Sequence, residues 1–334
     1  MFKKGILLSL LALVFLQACD NDVKINADYK KITYVFGLLD QTEPIHYIKI
    51  NKAYLGEGNA LVFAQIFDSL YYKDSEIDVR IEEIKNGNLT RQFVLNDTML
   101  PKNPGIFHSP DQQIWHFKAT LDPLATYRLT IKNNQTNELT IGQTNLVNGI
   151  NLASPNTIST SISYLPSTQQ YIYRWTTGPN GKLYEILAKF PVGEKNLVNG
   201  DSTTNNLTWN LGRVRSNTST GGSELTIRVP NRDFFQFMKA NLNPVNENDP
   251  NQNLKRYLKK VTIILSVASE DFTTYLDVSQ PSNTVAQERP TFNNITNGYG
   301  LFSARTSINR QLNVANQLVD SLKVNPLTEN LGFQ

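Results

Sequence analysis

An all-β fold with a few helices is predicted by three features of the sequence. Apolar and polar residues alternate over many short runs, the signature of half-buried strands. Asn-, Gly- and Pro-containing turns separate these runs at short intervals. Only two stretches carry apolar residues at helical spacing. The expected architecture is a β-sandwich followed by a second β-rich unit that ends in a helix.

The sandwich is expected over residues 31–148. Its runs begin with Ile32–Leu38 and Tyr47–Lys52. Ile77, Val79 and Ile81 then alternate with Asp78, Arg80 and Glu82. Thr90–Leu95 follows, and Trp115, Phe117 and Ala119 alternate with His116, Lys118 and Thr120. Tyr127, Leu129 and Ile131 form the next run, and Glu138–Leu146 the last, which makes seven strands. Leu121, Pro123, Tyr127, Leu129 and Ile131 fall at odd-numbered positions of L-D-P-L-A-T-Y-R-L-T-I. This segment resembles the tyrosine corner of immunoglobulin-like and fibronectin type III sandwiches. The resemblance implies a buried Tyr127 whose hydroxyl bonds to backbone a few residues upstream.

The second unit is expected over 149–334, after the Asn-, Gly- and Pro-containing stretch Asn148–Asn156. Tyr171, Tyr173 and Trp175 form one strand face, and Tyr184, Ile186, Ala188 and Phe190 another. Leu207–Val214, Leu225–Val229 and Val261–Ala268 continue the pattern. The nearly unbroken apolar run Val261–Leu265 reads as a central strand. Helices are expected near 231–241, capped by Asn231, and near 308–323, where Leu312, Ala315, Leu318, Val319 and Leu322 share a face.

The amino terminus reads as a targeting segment. Lys3 and Lys4 precede the apolar run Ile6–Leu16, and L-Q-A-C closes it at Cys19, followed by Asp20, Asn21 and Asp22. The run is too short for a transmembrane helix of about 20 residues. Residues 1–18 therefore read as a leader and 19–30 as a short tether. Cys19 is the single cysteine, and the segment resembles a bacterial lipobox, in which the cysteine thiol receives a diacylglycerol. With no second cysteine, no disulfide is available. Removing Lys3 and Lys4 lowers the net charge from +3 to +1, which argues against a nucleic-acid partner.

Motifs for chemistry are sparse. His46, His108 and His116 are the only histidines, and none forms a metal-binding pair. His46 and His116 fall on polar strand sides and His108 in a loop, so all three read as surface residues. No nucleophile elbow occurs. Gly221-Gly222 and Gly298–Gly300 do not have the surroundings of a phosphate loop. No cofactor or metal is expected, nor catalysis. Tyr171, Tyr173 and Trp175 could line a sugar-stacking surface, but such a row is more often a buried strand face. Tyr71 and Tyr72, beside Asp68 and Asp74 in an expected loop, are the candidate binding residues. Four Asp-Ser/Thr tripeptides, beginning at Asp68, Asp97, Asp201 and Asp320, resemble an O-glycosylation motif of Bacteroidota.

One segment near the carboxyl end, Glu288–Arg305, carries Pro290, Asn294, Ile295, Asn297, Gly298, Gly300 and Phe302 in a P-x-x-x-N-I-x-N-G-x-G-x-F arrangement. It resembles a signature of uncharacterised outer-membrane lipoproteins of the Bacteroidota. The lipobox and Tyr34–Asp40 agree with that resemblance, which implies a location and a tandem β architecture but no activity. From the residues alone, Asn297-Gly298 is a turn pair in which both tolerate positive φ, and Gly300 permits close packing. The expected setting is the outer membrane, through lipid on Cys19, with the body at the cell surface or on the periplasmic face. Three roles stay open: a binding or accessory lipoprotein that engages an outer-membrane protein, a structural or adhesive module, and a glycan-active enzyme.

Overall fold

The computed structural model describes residues 30–55, 60–105, 107–166, 169–280 and 291–334. The lipobox, Cys19, the tether before residue 30 and Pro290 lie outside the described residues. Strands make up 52% of the described residues and helices 14%, which places the chain in the all-β class.

The first sandwich is built from eight strands. One sheet runs β1 (Lys30–Leu39), β2 (Ile45–Leu55), β6 (Asp111–Lys118) and β5 (Asn96–Pro101). The other runs β8 (Leu139–Asn145), β7 (Thr126–Asn133), β3 (Ile77–Lys85) and β4 (Asn88–Val94). This is the A-B-E-D and G-F-C order of an immunoglobulin-type sandwich, with β4 added at the C edge. Alternation fixes which side of each strand is buried. Val35, Ile48 and Ile50 from one sheet meet Val79, Ile81, Leu129 and Ile131 from the other in one core. The strand beyond the seven expected is β5; its sequence N-D-T-M-L-P has no clear alternation and ends in proline.

The second body centres on a sheet of long strands: β13 (Ser202–Arg215), β12 (Gly181–Asn196), β16 (Lys260–Ser269) and β18 (Tyr299–Val314). As the apolar run predicts, β16 is flanked on both sides. Short strands β15 (Leu254–Leu258) and β10 (Ser161–Ile162) extend β12 and β18. A three-stranded sheet, β14 (Glu224–Pro230), β11 (Gln170–Thr176) and β9 (Asn151–Ser154), completes the body. Helix α3 (Asn231–Asn241) buries Phe234, Phe235 and Met238. Asn231 does not cap it: Pro230 holds the N-cap position, and the Asn231 amide donates to the Leu165 carbonyl at 2.8 Å. Near the carboxyl terminus, buried Arg256 donates to Glu194 at 2.7 Å and to the Leu331 carbonyl at 2.7 Å.

Two helical expectations change. Residues 308–314 belong to β18, and only Asn316–Val324 is helical (α5). The apparent helical face joins Leu312, which is buried in the strand, and Ala315 at the N-cap to Leu318, Val319 and Leu322 in the helix. An unexpected helix, α4 (Glu270–Ser279), follows β16 directly. Its signal is local: Ser269 occupies the N-cap, and Glu270 and Asp271 lie in the first turn, where acids are favoured.

The two bodies share strands. β18 pairs in parallel with β1, from Tyr34–Tyr299 to Leu39–Ala304, and antiparallel with β16 along its later residues. The main sheet is thereby continuous from β5 to β13. Just before β18, β17 (Ile295–Thr296) pairs with β8 in the opposite sheet. The chain thus bridges the open side of the first sandwich.

Candidate functional site

The carboxyl-terminal signature makes that bridge. Asn294 clamps the Phe302 backbone, donating to its carbonyl at 2.8 Å and accepting from its N–H at 2.9 Å. Asn293 accepts from the Gly300 N–H at 2.9 Å. Asn297 lies at φ 53° and donates to the Leu139 carbonyl at 3.0 Å. Gly298 is not at positive φ, contrary to the turn-pair expectation; it is needed for space, since a Cβ there would sit 2.8 Å from the Thr33 carbonyl oxygen. Gly300 combines φ 118° with a Cβ position only 1.9 Å from the Val35 carbonyl oxygen. Any side chain there would push β18 away from β1. These residues join backbone to backbone.

Tyr127 is fully buried at the start of β7. The Asp122 N–H donates to its hydroxyl oxygen at 2.7 Å, and its own proton goes to Glu83 Oε2 at 2.8 Å. Glu83 also accepts from Thr90 at 2.8 Å and from Arg91 Nε at 2.9 Å. Hydrogen bonding from Arg91, and then from Tyr127 and Thr90, lowers the Glu83 carboxyl to about 2 against the opposing effect of burial. Burial and the neighbouring carboxylate push the Tyr127 hydroxyl up.

Tyr71 and Tyr72 are not exposed as expected: they retain 2% and 3% of their surface. Helix α2 (Phe67–Leu70) turns the chain so that both rings point inward. Tyr71 packs on Phe67, with ring centroids 4.6 Å apart. The Tyr72 hydroxyl lies 2.9 Å from Thr33 Oγ1, and the Lys52 ammonium sits over its ring. His46 is likewise buried rather than superficial, with Nε2 3.0 Å from the Ala119 carbonyl and its ring against Phe117. Burial lowers its pKa. Its position follows strand parity, since His46 shares the inward face with Ile48 and Ile50. His108 and His116 are half-buried. Tyr173 and Trp175 are fully buried, as a strand face rather than a sugar platform requires.

The exposed aromatic surface lies elsewhere. Three of the described tyrosines are exposed: Tyr34 at 41%, Tyr47 at 46% and Tyr299 at 56%. All three lie on the outer face of the β18–β1–β2 region. Tyr34 pairs with Tyr299 on one side and Asn51 on the other. Phe36 lies two residues along on the same face, opposite Lys49. Tyr47 pairs with His116, and their rings stack at 6.2 Å. Helix α4 borders the face, with Tyr275 5.7 Å from Phe36. Burial, and then Tyr275, raise the Tyr34 hydroxyl. Asn51 Oδ1 and His116 Nδ1 are buried without a hydrogen-bond partner among the described residues. The result is an amphipathic face with polar atoms between its rings.

Acid–base chemistry has weaker support. Asp74 and Asp97 are in hydrogen-bond contact, and Asp74 is pushed up by burial and by Asp97. Asp97 also accepts from Gln113 at 2.7 Å. Carboxyls touching each other lack the gap of about 5 Å or more that a sugar ring or water needs in glycoside hydrolysis. Among the described residues, no group of three or more His, Cys, Asp or Glu could hold a metal ion. No helix of the described residues is long and apolar enough to cross a membrane. No protein-family model and no curated protein matches the chain.

Proposed function

We propose that the protein is a cell-envelope lipoprotein with a non-catalytic binding or accessory role, held to the outer membrane by acyl chains on Cys19. Its tyrosine face engages an outer-membrane protein partner, in support of TonB-dependent nutrient uptake. The grouping of the exposed Tyr34, Tyr47 and Tyr299 on one sheet face carries this reading. Tyrosine supplies large contact area at low entropic cost and is enriched at protein contacts. A small-molecule site would instead be concave. The lipobox and the signature resemblance to Bacteroidota lipoproteins support the location, and Asp20 and Asp22, acids just after Cys19 that resemble the surface-export signals of Bacteroidota lipoproteins, support export to the cell surface. Two measurements test it. Cys19→Ala is expected to abolish fatty-acid labelling and release the protein from membranes; unchanged retention refutes the anchor. A photo-crosslinker at Tyr299 in intact outer membranes is expected to capture one discrete protein, whereas one at Leu124 captures none. Identical patterns at the two positions refute the face.

A further inference from the structure

We infer that the end of the first sandwich where β1 begins is a seat for the lipid surface itself. This inference rests on the anchor reading above. Two loops meet at that end. One carries α1 (Ala60–Phe63) and α2, between β2 and β3; the other, residues 102–110, joins β5 to β6. The His108 N–H donates to the Ala64 carbonyl at 2.8 Å, and the rings of Phe67 and His108 lie 5.4 Å apart. Together the loops expose Leu61 at 61%, Val62 at 57%, Ile66 at 45% and Phe107 at 54%. The Lys102 ammonium lies 5.3 Å from the Phe107 ring centre and donates to the His108 carbonyl at 3.1 Å.

The position of the chain identifies the occupant. Lys30, the first described residue, pairs with Leu55 at the end of β2, on the side from which the α1–α2 loop continues. Lys30 is eleven residues beyond Cys19. Eleven residues reach at most about 40 Å, so a lipidated Cys19 keeps this end, and no other part of the sandwich as closely, near the bilayer. The chemistry agrees. Aliphatic side chains and one phenylalanine, with a lysine at the margin, suit the boundary between headgroups and acyl chains. The two tyrosines of these loops, Tyr71 and Tyr72, are buried, and the exposed tyrosines that suit protein contacts lie on the sheet face instead. Burying the patch in lipid would orient the body and turn the tyrosine face parallel to the membrane normal, open to a neighbouring membrane protein.

The test uses the full mature protein, with single cysteines placed at Val62, Phe107 or Leu124 and labelled with bimane. Leu124 is 73% exposed and follows β6, at the opposite end. The proteins are reconstituted into phosphatidylethanolamine–phosphatidylglycerol vesicles that contain nitroxide-labelled lipid. Flotation of the unsubstituted protein reports the anchor. Quenching at positions 62 and 107 is expected to exceed that at 124 by about threefold or more, because interfacial insertion reaches only about 5–10 Å into the bilayer. Equal quenching at all three positions in protein that floats overturns the lipid seat and leaves the patch to a protein partner. Failure of the unsubstituted protein to float overturns the anchor reading, and the seat with it.

Discussion

The two bodies fill their cores differently. The first sandwich packs Val35, Ile48, Ile50, Val79, Ile81, Leu129 and Ile131, and builds a buried charged network around Tyr127 and Glu83. The second packs rings: Tyr164, Tyr173, Trp175, Tyr184, Phe190, Phe234 and Phe235 are all essentially without exposed surface. Phe234 stacks on Tyr164 at 4.9 Å and tilts against Phe190 at 5.5 Å. Branched aliphatics are stiff and suit the regular pleat of two facing sheets. Aromatics span the wider, less regular space between the long strands and α3. Their hydroxyls then need partners: Tyr164 and Tyr173 meet each other, and Tyr184 accepts from the Gly178 N–H at 3.2 Å. The first body should therefore be most sensitive to the loss of a polar contact, and the second to the loss of volume.

The largest expected effect is in the second body. Phe234→Ala should cost about 3–5 kcal/mol in urea unfolding, because it leaves a cavity among rings that cannot collapse. A cost near the roughly 1 kcal/mol of an Ile81→Val exchange would erase the contrast.

Next comes Tyr127→Phe. It keeps the ring but orphans the Asp122 N–H and one bond to the Glu83 carboxylate, so the expected loss is about 1–3 kcal/mol. Tyr164→Phe sharpens the comparison. It removes a hydroxyl whose partner, Tyr173, is itself a neutral hydroxyl, and should cost less. Equal losses would mean that the charged network gives the first body no special sensitivity.

The smallest effect is read by pH. Glu83 is lowered to about 2 in the fold, and the ordinary glutamate value lies near 4.5. Its contribution is fully present above the ordinary value and is lost as pH falls toward the folded one. The urea midpoint should therefore fall between about pH 5 and 2. In Glu83→Gln the midpoint should be lower at pH 7 and should fall less steeply over that window. Parallel slopes for the two proteins would remove Glu83 from the acid response.

Much of this fold was legible because alternation is a local signal. Strands such as β3 and β7 declare their period within a few residues, and β16 declares itself by its nearly unbroken apolar run. The tyrosine corner was legible as well, since Pro123 and Tyr127 bracket one turn. The outer tyrosine face was partly legible. Tyr47, Lys49 and Asn51 alternate with His46, Ile48 and Ile50, which marks Tyr47 as outward. In contrast, T-Y-V-F-G-L-L around Tyr34 is apolar at nearly every position and has no visible parity. The burial of Tyr71 and Tyr72 depends on Thr33, Lys52 and Phe67, which no short window includes. The loop reading of that stretch missed the short helix that turns the rings inward. The sharing of strands between the bodies was hidden for the same reason: the signature could be read as a turn, but nothing local says that it reaches β1.

That pairing sets a schedule. Tyr34 and Tyr299 are neighbours in the finished sheet, yet a ribosome, working from the amino terminus, makes them hundreds of residues apart. Until the later segment emerges, β1 has β2 on one side and a bare backbone edge on the other. Such an edge invites pairing with another chain. The interval is long because non-local parallel contacts form slowly. The first half of the molecule must therefore wait, with its edge held away from other strands, and a nascent chain cut short before Gly300 has no route to the closed sheet.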